Sequence, residues 1–144
     1  MKVLLIQPPI EDFYDTAIRT YPLALLYIAA KLRGACDVSV LDCRTGVKPR
    51  VLKNLDFPEL LPFYRDDRQT PFSLFGRYSR YGMDRQEIAA AVRTEKPDIV
   101  GISSSFTAYS REAIDVAAIV KEADKEIVTV IGGTHPTLFP GYVL

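Results

Sequence analysis

Tryptophan is absent from this chain of 144 residues, histidine occurs once and cysteine twice. With His135 as the only histidine, no Ser/His/Asp nucleophile can be assembled. Cys36 and Cys43 form no Cys-x-x-Cys pair, so this chain alone builds neither a zinc nor an iron–sulfur site. If the residues between them form a strand, the two thiols lie roughly 20 Å apart. That exceeds disulfide reach, and reduced thiols point to a reducing compartment, with the cytoplasm as the expected location. Excess charge of either sign is also lacking: eighteen basic residues balance eighteen acidic ones. Neither nucleic acid nor an anionic membrane is therefore expected as a partner. No apolar run approaches the roughly 20 residues of a membrane span. The opening "MKVLLIQPPI" is too short for a signal-peptide core and ends in Pro-Pro. Two nucleotide signatures are missing as well. No Gly-x-Gly-x-x-Gly follows the first apolar run, and no Gly-x-x-x-x-Gly-Lys-Ser/Thr occurs anywhere. A phosphorylated receiver would need acidic residues at strand one and an aspartate ending strand three, and neither is present.

What is there is ordinary globular composition, 48% hydrophobic and 25% charged. The length fits one domain that buries roughly two-thirds of its unfolded surface. "KVLLIQ" reads as a first strand closed by Pro8 and Pro9, followed by a loop, "IEDFYDTAIRT". "YPLALLYIAAKLRG" reads as a helix with Pro22 in its first turn, Leu23, Leu26 and Ala30 on its apolar face, and Gly34 at its end. "DVSVLDC" alternates and forms a second strand. Residues 44–83 differ: four of the ten prolines and much of the aromatic content lie here, with weak periodicity. They read as an insertion with short helical pieces, "KPRVLKNL" and "PFSLFGRYSRY", its aromatics buried against something. Beyond it, "MDRQEIAAAVRTEKP" is a helix capped by Asp84, "DIVGIS" a buried strand, and "SREAIDVAAIVKEADKE" a helix with Ile114, Ala117, Ala118 and Val120 along one side. "IVTVIGG" is a fourth strand, and "HPTLFPGYVL" starts another helix. Such alternation means a parallel α/β sheet with helices on both faces.

Ligands of open parallel sheets bind beyond the carboxyl ends of the strands, where the winding reverses. Those ends are "QPP", "LDC", "ISSSFT" and "GGTHP". Ser103, Ser104, Ser105, Thr107, Gly132, Gly133 and Thr134 are small, hydroxylated or bare, leaving room and donors for a polar ligand. Two consecutive glycines at a strand end require either a sharp turn or a ligand lying against the backbone.

In "KVLLIQPP", "YPLALLYIAAKLR", "VSVLDC", "KPDIVGISSSFTAYSREAIDVAAIVKEAD" and "VIGGTHPTLFP" the chain resembles the N-terminal cobalamin-binding domain of B12-binding radical S-adenosylmethionine enzymes. The insertion lies outside the resemblance. It implies a flavodoxin-like, Rossmann-like doubly wound sheet over 1–144, in the order 2-1-3-4(-5), with the last strand cut off by truncation. It implies cobalamin, with its nucleotide tail in a slot lined by the ends of strands one, three and four. The cofactor-binding residues are then Gln7, Pro8, Pro9, Tyr21, Ser103, Ser104, Ser105, Thr107, Gly132, Gly133, Thr134 and His135. A radical S-adenosylmethionine domain, holding a [4Fe-4S] cluster and S-adenosylmethionine, is expected beyond Leu144. Methyl transfer or radical rearrangement is the expected reaction of the whole enzyme, and no residue of this fragment is a good acid or base.

One departure matters. The best-known cobalamin domains carry Asp-x-His-x-x-Gly after strand one, whereas this loop, "QPPIEDFYDTAIRT", has no histidine. The lower face of the cobalt is then empty, water-filled or approached by Gln7, Tyr14 or Tyr21. His135 is either a cofactor contact or a capping residue of its turn. Ser103–Ser105 could equally be a solvated loop. The alternative function is a cofactor-free recognition or docking domain, its slot plugged by Phe106 and Tyr109.

Overall fold

The computed structural model describes residues 1–13, 21–52 and 78–143. Four parallel strands form the main sheet: β1 (Lys2–Gln7), β3 (Asp37–Asp42), β6 (Ile99–Ser103) and β7 (Val128–Gly132), in the order β3-β1-β6-β7. This is the 2-1-3-4 order of a flavodoxin-like fold, with the winding reversing between β1 and β6. Helices α2 (Arg85–Glu95) and α3 (Ser110–Ala123) cover one face, and α1 (Leu23–Leu32) lies on the other.

Strand pleating divides the core unequally. Leu4, Ile6, Val100 and Ile102 point to the α2/α3 face and join Ile88, Val92, Ala113, Val116, Ile119 and Val120 in the larger core cluster. Val3 and Leu5 point the other way, where Leu25 of α1 is their one fully buried partner. Burying a large aliphatic side chain contributes roughly 1.5–3 kcal/mol, so the α2/α3 face supplies most of the stability.

α2 shows how local chemistry starts a helix. Asp84 Oδ1 accepts from Glu87 N at 2.9 Å while Glu87 Oε2 accepts from Asp84 N at 2.7 Å, a reciprocal capping box. The Glu87 amide and then Arg50 hold the Asp84 carboxyl below its usual range. A depressed carboxylate stabilises the fold above its unfolded pKa, and that contribution fades as pH falls through the folded value. Asp84→Ala should therefore cost about 1 kcal/mol at neutral pH in denaturant unfolding. The cost should shrink in acid.

Several sequence expectations need correction. "IEDFYDTAIRT" is not all loop, because Ile10–Asp12 forms β2. "PFSLFGRYSRY" does not end as a helix: Ser79–Tyr81 is β5, and it pairs antiparallel with both β2 and β4 (Arg50–Val51). Strands of two or three residues show no period, so only their partners fix them. "KPRVLKNL" is not helical over its described part either: Arg50–Val51 is β4, and Lys48, Pro49 and Leu52 carry no regular structure. Residues 53–55 and 71–77, and Tyr14, lie outside the described residues. Tyr81 is buried and Tyr78 packs on Phe13 with ring centroids 4.7 Å apart, as aromatic burial requires. On α3 the buried side runs through Ala113, Val116, Ile119 and the expected Val120, with Ala117 half-buried against it, whereas Ile114 is half-buried and Ala118 exposed. On α1, Leu25 is buried whereas Leu23 and Leu26 are exposed. Cys43 is fully buried, with its thiol pushed up to about 12 by desolvation, while Cys36 is half-buried. Among the described residues no helix is long and apolar enough to cross a membrane.

Candidate functional site

The thinly covered α1 face opens into a trough. In one row across the sheet, Val40, Leu5, Gly101 and Val130 stand side by side, and the third position carries no side chain. Two residues further along β6, Ser103 pairs with Gly132 of β7. Small residues thus floor the space beside α1, and Leu25, Ile28 and Leu32 wall it. The result is an apolar cavity of about 390 Å³, lined also by Val130, Gly132 and Gly133. At the carboxyl ends of β1 and β6 a second, more polar cavity of about 290 Å³ forms the mouth, lined by Gln7, Pro8, Tyr21, Arg44, Ser103–Ser105 and Tyr109. Ala24, Ser103 and Ser105 border both spaces. A more polar mouth above an apolar trough suits an amphipathic ligand.

The two consecutive glycines serve different ends. Gly133 has φ +126°, and a Cβ there would stand 2.6 Å from the Ser104 carbonyl oxygen. Its bareness is demanded by the chain itself: Ser104 N donates to Gly132 O at 2.7 Å and His135 N donates to Ser104 O at 3.1 Å. Around Gly132 a Cβ would meet nothing within 4 Å, so that position faces open trough.

The same turn leaves polar atoms unsatisfied. Ser104 Oγ and His135 Nε2 are buried without a hydrogen-bond partner. A buried hydroxyl left unpaired costs about 1–3 kcal/mol. His135 is 3% exposed, its Nδ1 lies 3.3 Å from Thr107 Oγ1, and Phe139 and Tyr142 flank its ring. It therefore braces the Ser104–Thr107 loop and borders neither cavity. Thr134 opens α4 (Thr134–Leu138), which a second short helix, α5 (Pro140–Val143), follows. Thr107 opens a short 3-10 turn to Tyr109, and Pro9 is fully buried beneath the mouth. Of the expected residues, the structure brings Gln7, Pro8, Tyr21 and Ser103–Ser105 together at the mouth, and Gly132 and Gly133 to the trough. Thr107, Thr134, His135 and Pro9 border neither space.

Sequence reasoning missed Arg44, Gly101 and the α1 wall. Arg44 follows "LDC"; its Nε donates to Pro8 O at 2.8 Å, and burial lowers its guanidinium pKa. At Gly101 a Cβ would stand 2.8 Å from Leu5 Cδ2, so the lone glycine in "DIVGIS" makes room for the neighbouring side chain. Phe106 and Tyr109 do not plug the slot. Their rings pack edge to face, centroids 6.3 Å apart, along the rim, and Phe106 is exposed.

Residues 77–144 match the family model described as B12 binding domain. Over 144 aligned residues the chain is 35% identical to a cytidylyl-2-hydroxyethylphosphonate methyltransferase of Streptomyces wedmorensis, covering 96% of this chain and 23% of that protein. Over 142 residues it is 28% identical to an uncharacterized methyltransferase of Pyrococcus horikoshii, covering 97% of this chain and again 23% of the relative. The chain thus spans less than a quarter of the length of these curated relatives. No solved structure matches it significantly.

Proposed function

From the match of residues 77–144 to the B12 binding domain family, we propose that this chain is the corrinoid-holding module of a larger methyltransferase. Cobalamin is the cofactor, with its nucleotide tail in the trough and its macrocycle over the mouth. The observation that carries this reading is the open trough floored by Gly101, Ser103 and Gly132, with a buried, unpartnered Ser104 hydroxyl at the adjoining mouth. When bound, cobalamin supplies a cobalt able to carry a methyl group; the protein supplies binding and orientation. Ser104 offers its hydroxyl to the cofactor at the mouth, Gly132 leaves the tail room, and Leu25, Ile28 and Leu32 exclude water from it. Gln7 and Tyr21 line the mouth and would be the side chains beside the cofactor there; among the described residues no histidine lines it. The radical S-adenosylmethionine domain, with its [4Fe-4S] cluster and S-adenosylmethionine, is assigned to the remainder of the full-length enzyme. That assignment rests on the sequence resemblance alone; the relatives' names carry the methyltransferase reading. The open trough counts against the cofactor-free recognition domain.

The test is a calorimetric titration with hydroxocobalamin, followed by desalting and a visible spectrum. Saturable binding with retained colour supports the assignment; a colourless protein and no heat refute it. Ser104→Ala sharpens the test, because its two effects have opposite signs. Removing an unpaired buried hydroxyl should stabilise the free protein by about 1 kcal/mol, while corrinoid affinity should drop about fivefold. Equal affinity of this variant and wild type would remove Ser104 from the site.

A further inference from the structure

The three-stranded sheet of β2, β5 and β4 lies beside the mouth and is tied to it by side chains that the cofactor reading leaves unused. The Tyr109 hydroxyl donates to Asp12 Oδ2, while Oδ1 of the same carboxylate accepts from Phe13 N at 2.6 Å. Held from both sides, the carboxylate has one orientation, and so has the phenol it receives. β2 is in turn fixed to α3, where Glu112 Oε1 accepts from Glu11 N at 3.0 Å. Arg80 of β5 completes the frame, pairing with Glu11 at 2.8 Å and donating from Nε to Met83 O at 3.0 Å. These groups are partly or wholly withdrawn from water, Glu112 to 8% exposure. Desolvating charge is a costly way to hold three short strands together, and such networks gain geometric specificity more than stability.

What this geometry specifies is a ring. Tyr109 lines the mouth, and Phe106 leans edge-on against it at the exposed rim. Together they form a rigid apolar wall beside a polar floor, the kind of surface that positions the edge of a flat macrocycle. We infer that Asp12 is a positioning residue for the corrinoid site, aiming Tyr109 at the mouth, so that the small sheet belongs to the site. The inference rests on the function proposed above.

Hydroxocobalamin titrations of wild type, Asp12→Ala, Asp12→Asn, Tyr109→Phe and the Asp12→Ala/Tyr109→Phe double variant test it. Loss of the latch hydrogen bond should weaken binding about fivefold in Asp12→Ala and in Tyr109→Phe. The double variant should be no weaker than the worse single one, because both changes remove the same interaction. Asp12→Asn keeps an acceptor oxygen and should stay within about twofold of wild type. A role for the Asp12 charge, rather than for the hydrogen bond it accepts, would give no such rescue. Amide exchange across β2 and β5 checks that each variant remains folded, and Tyr109→Phe, the mildest change, decides if Asp12→Ala does not fold. Wild-type affinity in every single variant, or a double variant that loses the product of the two, overturns the inference alone. Wild type that binds no corrinoid overturns the proposed function, and the inference with it.

Discussion

Gly132→Val should abolish corrinoid retention while leaving the melting temperature unchanged or slightly raised. The position faces open trough, with no heavy atom within 4 Å of where a Cβ would stand, so the added Cβ meets no protein atom. In a strand, valine also loses less backbone entropy than glycine, whose presence costs roughly 0.5–1 kcal/mol. The branched side chain instead fills ligand space beside Ser103, its partner across β6 and β7. Affinity for hydroxocobalamin should fall about 100-fold, equivalent to roughly 2.7 kcal/mol. Titration calorimetry and a thermal melt on the same sample separate the two effects. Undiminished binding would place the tail elsewhere and remove the trough from the site.

Gly133→Ala, one residue on, should do the reverse and damage the fold first. Its φ of +126° lies where side chains are strained, and the added Cβ would press to 2.6 Å from a backbone carbonyl oxygen, that of Ser104. That carbonyl cannot retreat cheaply, because it accepts the His135 amide and its own residue donates to Gly132. Backbone strain of about 1–3 kcal/mol plus the clash should destabilise the protein by about 3 kcal/mol. At this chain length the melting temperature should drop by roughly 10 °C. A variant that melts like wild type would mean that the turn has a second, relaxed conformation available. Neighbouring glycines with opposite responses separate a bare position kept for a ligand from one kept for the chain.

The sequence could not make that separation. "IGGTHP" shows two glycines at a strand end, and either could have been the one the ligand needs. Which glycine faces open space depends on strand pleating and on the loop from β6 that arrives across it, a contact between residues far apart in sequence. His135 is similar. A single histidine after two glycines suggests a ligand contact as readily as a brace, and only its neighbours Thr107, Phe139 and Tyr142 decide for the brace. Arg44 was hidden for another reason: a basic residue after a strand has no local signature, and its place at the mouth comes from its bond to Pro8.

By itself the sequence determined the elements whose signals are local and repeated. Continuous apolar runs fixed the four parallel strands, Asp84 and Glu87 fixed the start of α2, and the alternation of strand and helix fixed a doubly wound sheet. It also pointed to the carboxyl ends of those strands, where the small and hydroxylated residues gather. Only the tertiary structure decided the facing of α1, because that helix is apolar nearly all round and no period can choose between Leu23 and Leu25. It alone paired Ile10–Asp12 with Ser79–Tyr81, since short strands draw their stability from partners and carry too few residues to show alternation. The trough itself belongs to the same class: an unfilled volume arises where side chains from separate strands fail to meet, and no single segment encodes it.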